Sequence, residues 1–200
     1  MPPVSAYPAR CLAALAALLA VPLAQALPWV VQVRSGSGEA LADAVVAVEL
    51  RGQPVRAAAG ARADMAQRER QFQPHVLVVQ TGTAVSFPNF DTVRHHVYSF
   101  SPVKTFDIKL YSGTPAEPVV FDKPGVATLG CNIHDRMSAH IVVVDTPLFA
   151  RTDAQGLARL DLPAGEHVLK TWHPGLARPL LQSQKLLVTG AGGQTTVTLE

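Results

Sequence analysis

The chain has 200 residues, with 17 Lys and Arg against 15 Asp and Glu, a formal net charge of +2 and 48% hydrophobic residues. Charge this sparse and scattered, with no basic run, excludes a nucleic-acid-binding role. With 14 Gly and 16 Pro, the composition favours many short strands and turns over long helices.

The chain begins with a distinct segment. Arg10 precedes an apolar run over residues 12–23, which ends at Ala24-Gln25-Ala26. A positive start, a short apolar core and a small-x-small site describe a secretory signal peptide over residues 1–26, cleaved after Ala26. The run falls short of the roughly 20 apolar residues that span a membrane. The expected mature chain is therefore periplasmic, with no membrane span. Cleavage removes Cys11 and leaves Cys131 as the one cysteine. A lone thiol in an oxidising compartment forms no internal disulfide, so it needs another explanation.

Residues 29–55 alternate as strands do: Val31 and Val33, a turn at Ser35-Gly36-Ser37-Gly38, then Val46, Val48 and Leu50. The phrase Gly38-Glu39-Ala40-Leu41-Ala42-Asp43-Ala44-Val45-Val46 finds its continuation only near the other end of the chain. There Thr152-Asp153-Ala154-Gln155-Gly156 precedes Leu160-Asp161-Leu162-Pro163-Ala164-Gly165-Glu166-His167-Val168-Leu169. Asp153 with Gly156, and Pro163-Ala164-Gly165, suit tight turns. The two phrases together resemble carboxypeptidase-regulatory-like (transthyretin-like, Cna-B-like) β-sandwiches. The resemblance implies one small sandwich formed by residues 27–61 and 147–200 and split by an insert over 62–146, with Ala57 to Ala61 as the entry linker. It also allows a carbohydrate- or surface-binding role, with Trp172 and His173 as candidate sugar contacts; packing at an edge and a turn is the simpler role for that pair.

Within the insert, Val76 and Val78 face one way and Leu77 and Val79 the other, Gly82 turns the chain, and Val85 and Phe87 start the next strand. Asn89-Phe90-Asp91-Thr92-Val93-Arg94-His95-His96-Val97 follows. Residues 106–118 give no clear strand signal. Residues 119–121, a Lys123-Pro124-Gly125 turn and residues 126–130 then lead to Cys131-Asn132-Ile133-His134-Asp135-Arg136-Met137. In that loop a thiol, an imidazole and a thioether recur at every third position. Two imidazoles, one thiolate and a long axial thioether make the donor set of a blue-copper site. The loop supplies three of the four, and His95 or His96 offers the missing imidazole. His75, His140 and His167 fall on strand positions without matching partners and read as structural or exposed.

From residue 72 to Met137 the pattern resembles the cupredoxin family, with a short ligand loop of the amicyanin type. The arrangement as a whole is similar to bacterial proteins labelled methylamine-utilisation proteins. The resemblance implies an all-β chain: a Greek-key cupredoxin sandwich inserted in the transthyretin-like one. It implies one type 1 copper per chain, held by His95, Cys131, His134 and Met137, with His96 the less favoured alternative for the upstream imidazole. His96 stands where plastocyanin-like proteins carry an Asn that ties the two ligand loops together, and Asn132 is placed to hydrogen-bond toward sulfur. The expected function is single-electron transfer between redox partners, an amine dehydrogenase and a c-type cytochrome being the candidates, with no catalysis of its own. A copper carrier, or a binding module with a non-redox copper domain, are the alternatives.

Overall fold

The computed structural model describes residues 26–134, 136–176 and 181–200. The expected leader, including Arg10 and Cys11, and Asp135 of the ligand loop lie outside the described residues. Among the described residues no helix is long and apolar enough to cross a membrane.

The described chain is all-β. Its first strands are β1 (Ala26–Ser35), β2 (Val45–Leu50), β3 (Arg62–Asp64), β4 (Ala66–Arg68), β5 (Gln71–Gln73) and β6 (Val76–Gln80). Then come β7 (Ala84–Ser86), β8 (His95–Ser101), β9 (Lys104–Tyr111), β10 (Val119–Val120), β11 (Gly125–Gly130) and β12 (Ser138–Val144). The last are β13 (Phe149–Arg151), β14 (Leu157–Pro163), β15 (Gly165–Trp172), β16 (Gln182–Val188) and β17 (Gly193–Leu199).

Strands from the two ends of the chain share two sheets, β14-β1-β17 and β13-β2-β15-β16, while the middle of the chain forms β6-β12-β11-β8-β9, β10-β7-β3 and the β4-β5 hairpin. Three apolar cores separate these layers. Trp29, Val31 and Val33 of β1 meet Val46 and Val48 of β2 and Leu169 of β15 in the first. Val45 and Ala47 of β2 and Trp172 of β15 meet Val76, Val126, Val142 and Val144 in the second. Leu129, Ala139, Ile141 and Val143 meet Val85, Phe87 and Phe121 in the third.

Successive side chains of a strand point to opposite faces, so β2 and β12 each feed two cores at once. That is why Val45-Val46-Ala47-Val48 and Ile141-Val142-Val143-Val144 read as unbroken apolar runs and not as alternation. Burying each such Val stabilises by about 1.5–3 kcal/mol. The seam between the two halves is thus a true core.

Local signals account for the turns. Asp153 Oδ1 accepts the N–H groups of Gln155 and Leu157, and Gly156 turns back at φ 72°, where a Cβ would meet the Val33 carbonyl oxygen at 2.6 Å. Residues 104–111, for which the sequence offered no clear strand, form the regular strand β9. Phe106 and Ile108 pack inward while Thr105, Asp107 and Lys109 face solvent, so its apolar content is too low to show in a simple scan. A register shift between His95 and Val97 sets Tyr111 opposite His95. Trp172, expected at an edge, is instead buried in the seam.

Trp172 lies edge-on to His140 at 5.0 Å between ring centroids, and His140 lies edge-on to His75 at 5.6 Å. The Nδ1 of His140 is 3.3 Å from the Thr128 hydroxyl. Burial pushes the His140 imidazole down to about 4 from 6.5, and the neighbouring His75 adds to the effect. Between those two values the unfolded chain binds more protons than the folded one, so stability rises with pH across that window. In metal-free protein, the urea midpoint is expected to fall as pH drops from 6.5 toward 4, and His140→Gln is expected to flatten that part of the profile. A profile unchanged by the substitution would place the pH dependence elsewhere.

Candidate metal centre

The donors converge because of sheet register. Gly130, the last residue of β11, pairs with Tyr98 of β8 on one side and with Ser138 of β12 on the other. Residues 131–137 therefore form the hairpin loop between β11 and β12, beside the start of β8, where His95 sits. The loop closes on a hydrogen bond from the Met137 N–H to the His134 carbonyl, 2.9 Å. One ligand atom each from His95, Cys131 and His134 lies within 4.8 Å of the other two. Cys131 Sγ is 3.8 Å from His134 Nδ1, and the rings of His95 and His134 are 5.0 Å apart. The thiol is free and buried, His95 is fully buried and His134 is half-buried.

The state of His95 follows from its partner. Its Nε2 is 2.7 Å from Asp91 Oδ2. Burial alone would raise the Asp91 pKa, but hydrogen bonds from the Arg70 N–H, His95 and the Glu69 N–H outweigh it and hold the carboxyl below its usual range. An ionised carboxylate only accepts, so the proton is on Nε2. His95 Nδ1 is then left with a lone pair, buried and without a hydrogen-bond partner. A buried nitrogen in that condition costs about 1–3 kcal/mol unless something occupies the lone pair. A metal ion among three such donors would satisfy it, so the residues present fit a thiophilic, imidazole-binding ion.

The segment delivering Asp91 and His95 is fixed by amide chemistry. Asn89 donates from Nδ2 to the carbonyls of Val93 and Tyr111, 2.9 and 3.2 Å, and accepts the Asp91 N–H at Oδ1, 2.9 Å. Below it Tyr111 donates its hydroxyl to the Phe87 carbonyl at 2.7 Å and receives Gln67 Nε2. Burial pushes the Tyr111 phenol up to about 12. Asp91 is held from the other side by the two-residue turn between β4 and β5. The N–H groups of Glu69 and Arg70 donate to its two oxygens at 2.7 and 2.9 Å. Both turn residues have left-handed backbones, at φ 54° and 59°. Consecutive N–H groups presented in this way form an anion-holding nest.

The geometry separates His95 from His96. His96 points the other way along β8, and its Nε2 pairs with Asp107 Oδ1 on β9. The Lys109 ammonium, then His96, hold the Asp107 carboxyl low. His96 is thus linked to β9, and its Nδ1 is buried without a partner. Met137 is buried in the same core as Cys131, while Asn132 and Arg136 are exposed on the loop. Sequence reasoning gave no role to Asp91. Its signal was a carboxylate four residues before the histidine, which only the folded loop brings into contact.

No protein-family model matches the chain. No curated protein matches it either. Among solved structures it is similar to a copper-containing nitrite reductase from Thermus scotoductus SA-01, at 26% identity over 47% of this chain and TM-score 0.40. The aligned part is 26% of that enzyme's length. It is similar to a purple cupredoxin from Nitrosopumilus maritimus, at 20% identity over 42% of this chain and 98% of that one, with TM-score 0.36. A reduced amicyanin variant aligns at 18% identity over 49% of this chain and 97% of its own, with TM-score 0.38.

Two adjacent left-handed residues with side chains cost about 1–2 kcal/mol each. Replacing Glu69 with Asn and Arg70 with Gly suits this turn and retains both N–H groups on Asp91. Allowing for the freedom glycine adds to the unfolded chain, the double variant is expected to be more stable by about 1 kcal/mol in urea unfolding. A loss of stability would show that Glu69 and Arg70 make side-chain contributions larger than the backbone strain.

Proposed function

We propose that the chain is a cupredoxin-type blue-copper protein that carries single electrons and catalyses no reaction itself. The observation that carries this reading is the buried, partnerless Nδ1 of His95, set among a free buried thiol and a second imidazole. His95, Cys131 and His134 would hold one copper, with the Met137 thioether as a fourth donor. Bound copper supplies a one-electron couple. Cys131 binds as thiolate, so its proton leaves on loading. The scaffold keeps the donors nearly still as the charge changes: His95 is hydrogen-bonded to Asp91, and Cys131 is anchored where β8, β11 and β12 meet.

Half-buried His134 is the edge through which electrons pass. Near it the ligand-bearing loops expose Phe90 (55%), Ile133 (45%) and Val93 (37%). Arg68 stacks on Phe90 at 3.8 Å, Arg94 and Arg136 are exposed on the same loops, and Arg70 is exposed on the β4–β5 turn. An apolar centre with a guanidinium rim suits brief docking of a redox protein with an acidic rim. An amine dehydrogenase as donor and a c-type cytochrome as acceptor fit that description. The leader over residues 1–26 supports export to the periplasm, and the pairing of terminal strands supports a host sandwich of residues 27–61 and 147–200 around a copper domain of residues 62–146.

The test is a copper(II) titration of the exported chain followed by optical and electron-spin spectra, beside Cys131→Ser. An intense thiolate-to-copper band with narrow hyperfine splitting, bleached by reductant, restored by oxidant and absent from the variant, is expected. A colourless complex, or copper binding indifferent to Cys131, would sink the electron-transfer reading and favour a carrier or binding module.

A further inference from the structure

We propose that Asp91 is the positioning residue of this centre: its carboxylate fixes His95 as the Nε2–H tautomer, enriches Nδ1 as a donor, and thereby lowers the reduction potential of the bound metal. The proposal rests on the copper reading above and goes beyond it by naming what sets the potential.

The argument begins with what grips the carboxylate. Asp91 Oδ1 accepts the Glu69 N–H, and Oδ2 accepts both the Arg70 N–H and His95 Nε2. Three donors on two oxygens leave little rotational freedom, and the side chain is only 16% exposed. The turn that provides two of them does so in a backbone conformation unfavourable for Glu69 and Arg70. Of the four non-glycine residues with left-handed backbones among the described residues, two thus lie at the carboxylate that touches His95.

A carboxylate differs from a neutral acceptor in what it does to the ring. It carries full negative charge against the Nε2–H, which draws the proton outward and leaves more electron density on Nδ1. His95 is fully buried, so water screens this effect little. A more basic Nδ1 favours the higher-charged metal state over the lower, which depresses the potential. The same bond also fixes the ring plane, so that Nδ1 stays buried and free of other hydrogen bonds without help from metal.

Asp91→Asn keeps the shape and an acceptor oxygen but removes the charge. In the full copper-loaded chain, its potential measured by protein-film voltammetry is expected to rise, and copper(II) affinity to fall about 10–100-fold, with copper(I) affinity changed less. An unaltered potential and an unaltered ratio of the two affinities, beside lowered stability, would reduce Asp91 to a loop clip and overturn the proposal. A second measurement stands apart from copper and from the variant's folding. Nitrogen-15 imidazole NMR of metal-free native protein at pH 8 is expected to show His95 protonated at Nε2 and bare at Nδ1. A proton on Nδ1 would overturn the proposal even where the copper reading holds. If the native chain forms no Cys131-dependent copper band, the copper reading and the effect on potential fail together, and the NMR result alone decides whether Asp91 sets the tautomer.

Discussion

The pairing of three strands at Gly130 is the constraint on which the rest depends. Tyr98 opposes this residue from β8 and Ser138 from β12. The Tyr98 ring also covers the glycine so closely that a Cβ there would lie 2.6 Å from it. A side chain at this position would have to turn the Tyr98 ring away from its place over the β8–β11 pair. A seven-residue hairpin loop alone could orient Cys131, His134 and Met137 toward one another. It could not recruit a histidine 36 positions upstream without a rigid adjacent strand. The site is therefore a property of the sheet's register as much as of the loop.

The sheet is in turn held from both sides. β12 contributes Ile141 and Val143 to the core shared with Phe87 and Phe121, and Val142 and Val144 to the seam with β2 and Trp172. A strand buried on both faces cannot slip by one residue without exchanging two complete sets of contacts, so its register is strongly specified. The terminal strands of the chain thus act at a distance on the end that carries His95, Cys131 and His134. By covering the outer face of β12, they make a rigid strand of the element from which the ligand loop emerges. Glu49 is buried against Lys170, and Thr152 both accepts the Ala44 N–H and donates to the Leu41 carbonyl, while Trp172 Nε1 in the seam has no hydrogen-bond partner.

Much of this was legible in the sequence, for identifiable reasons. The all-β class, the alternation of β6 and the Asp153-to-Gly156 turn are local signals, and local signals survive without knowledge of partners. The donor spacing 131–134–137 was legible because one hairpin carries it. What escaped depends on contacts between distant segments. His95 and His96 are equivalent as sequence, and only the face each takes on β8 sends one to Cys131 and the other to Asp107. β9 was hidden because its apolar positions alternate with charged ones at an exposed sheet edge. Trp172 reads as a turn neighbour until the seam that covers it is known. Asp91 was visible only as one polar residue among several in a loop, because its contacts come from a turn 22 and 21 residues earlier.

The β4–β5 turn carries the argument one step further. A hairpin free to evolve for stability alone would place Asn-Gly at its two left-handed positions, yet Glu69 and Arg70 stand there. Their backbones point at Asp91, while their charged side chains lie exposed around a surface hollow shared with Thr92 and Val93. The same two residues thus hold the carboxylate through their N–H groups and present opposite charges to solvent. Glycine would relieve the backbone but would leave nothing on the surface, and Asn would lose the charge. Left-handed backbones occur also at Asp43 and Arg51, away from the donors, so strain by itself does not mark the site. What distinguishes Glu69 and Arg70 is that their two N–H groups converge on the carboxylate that orients His95.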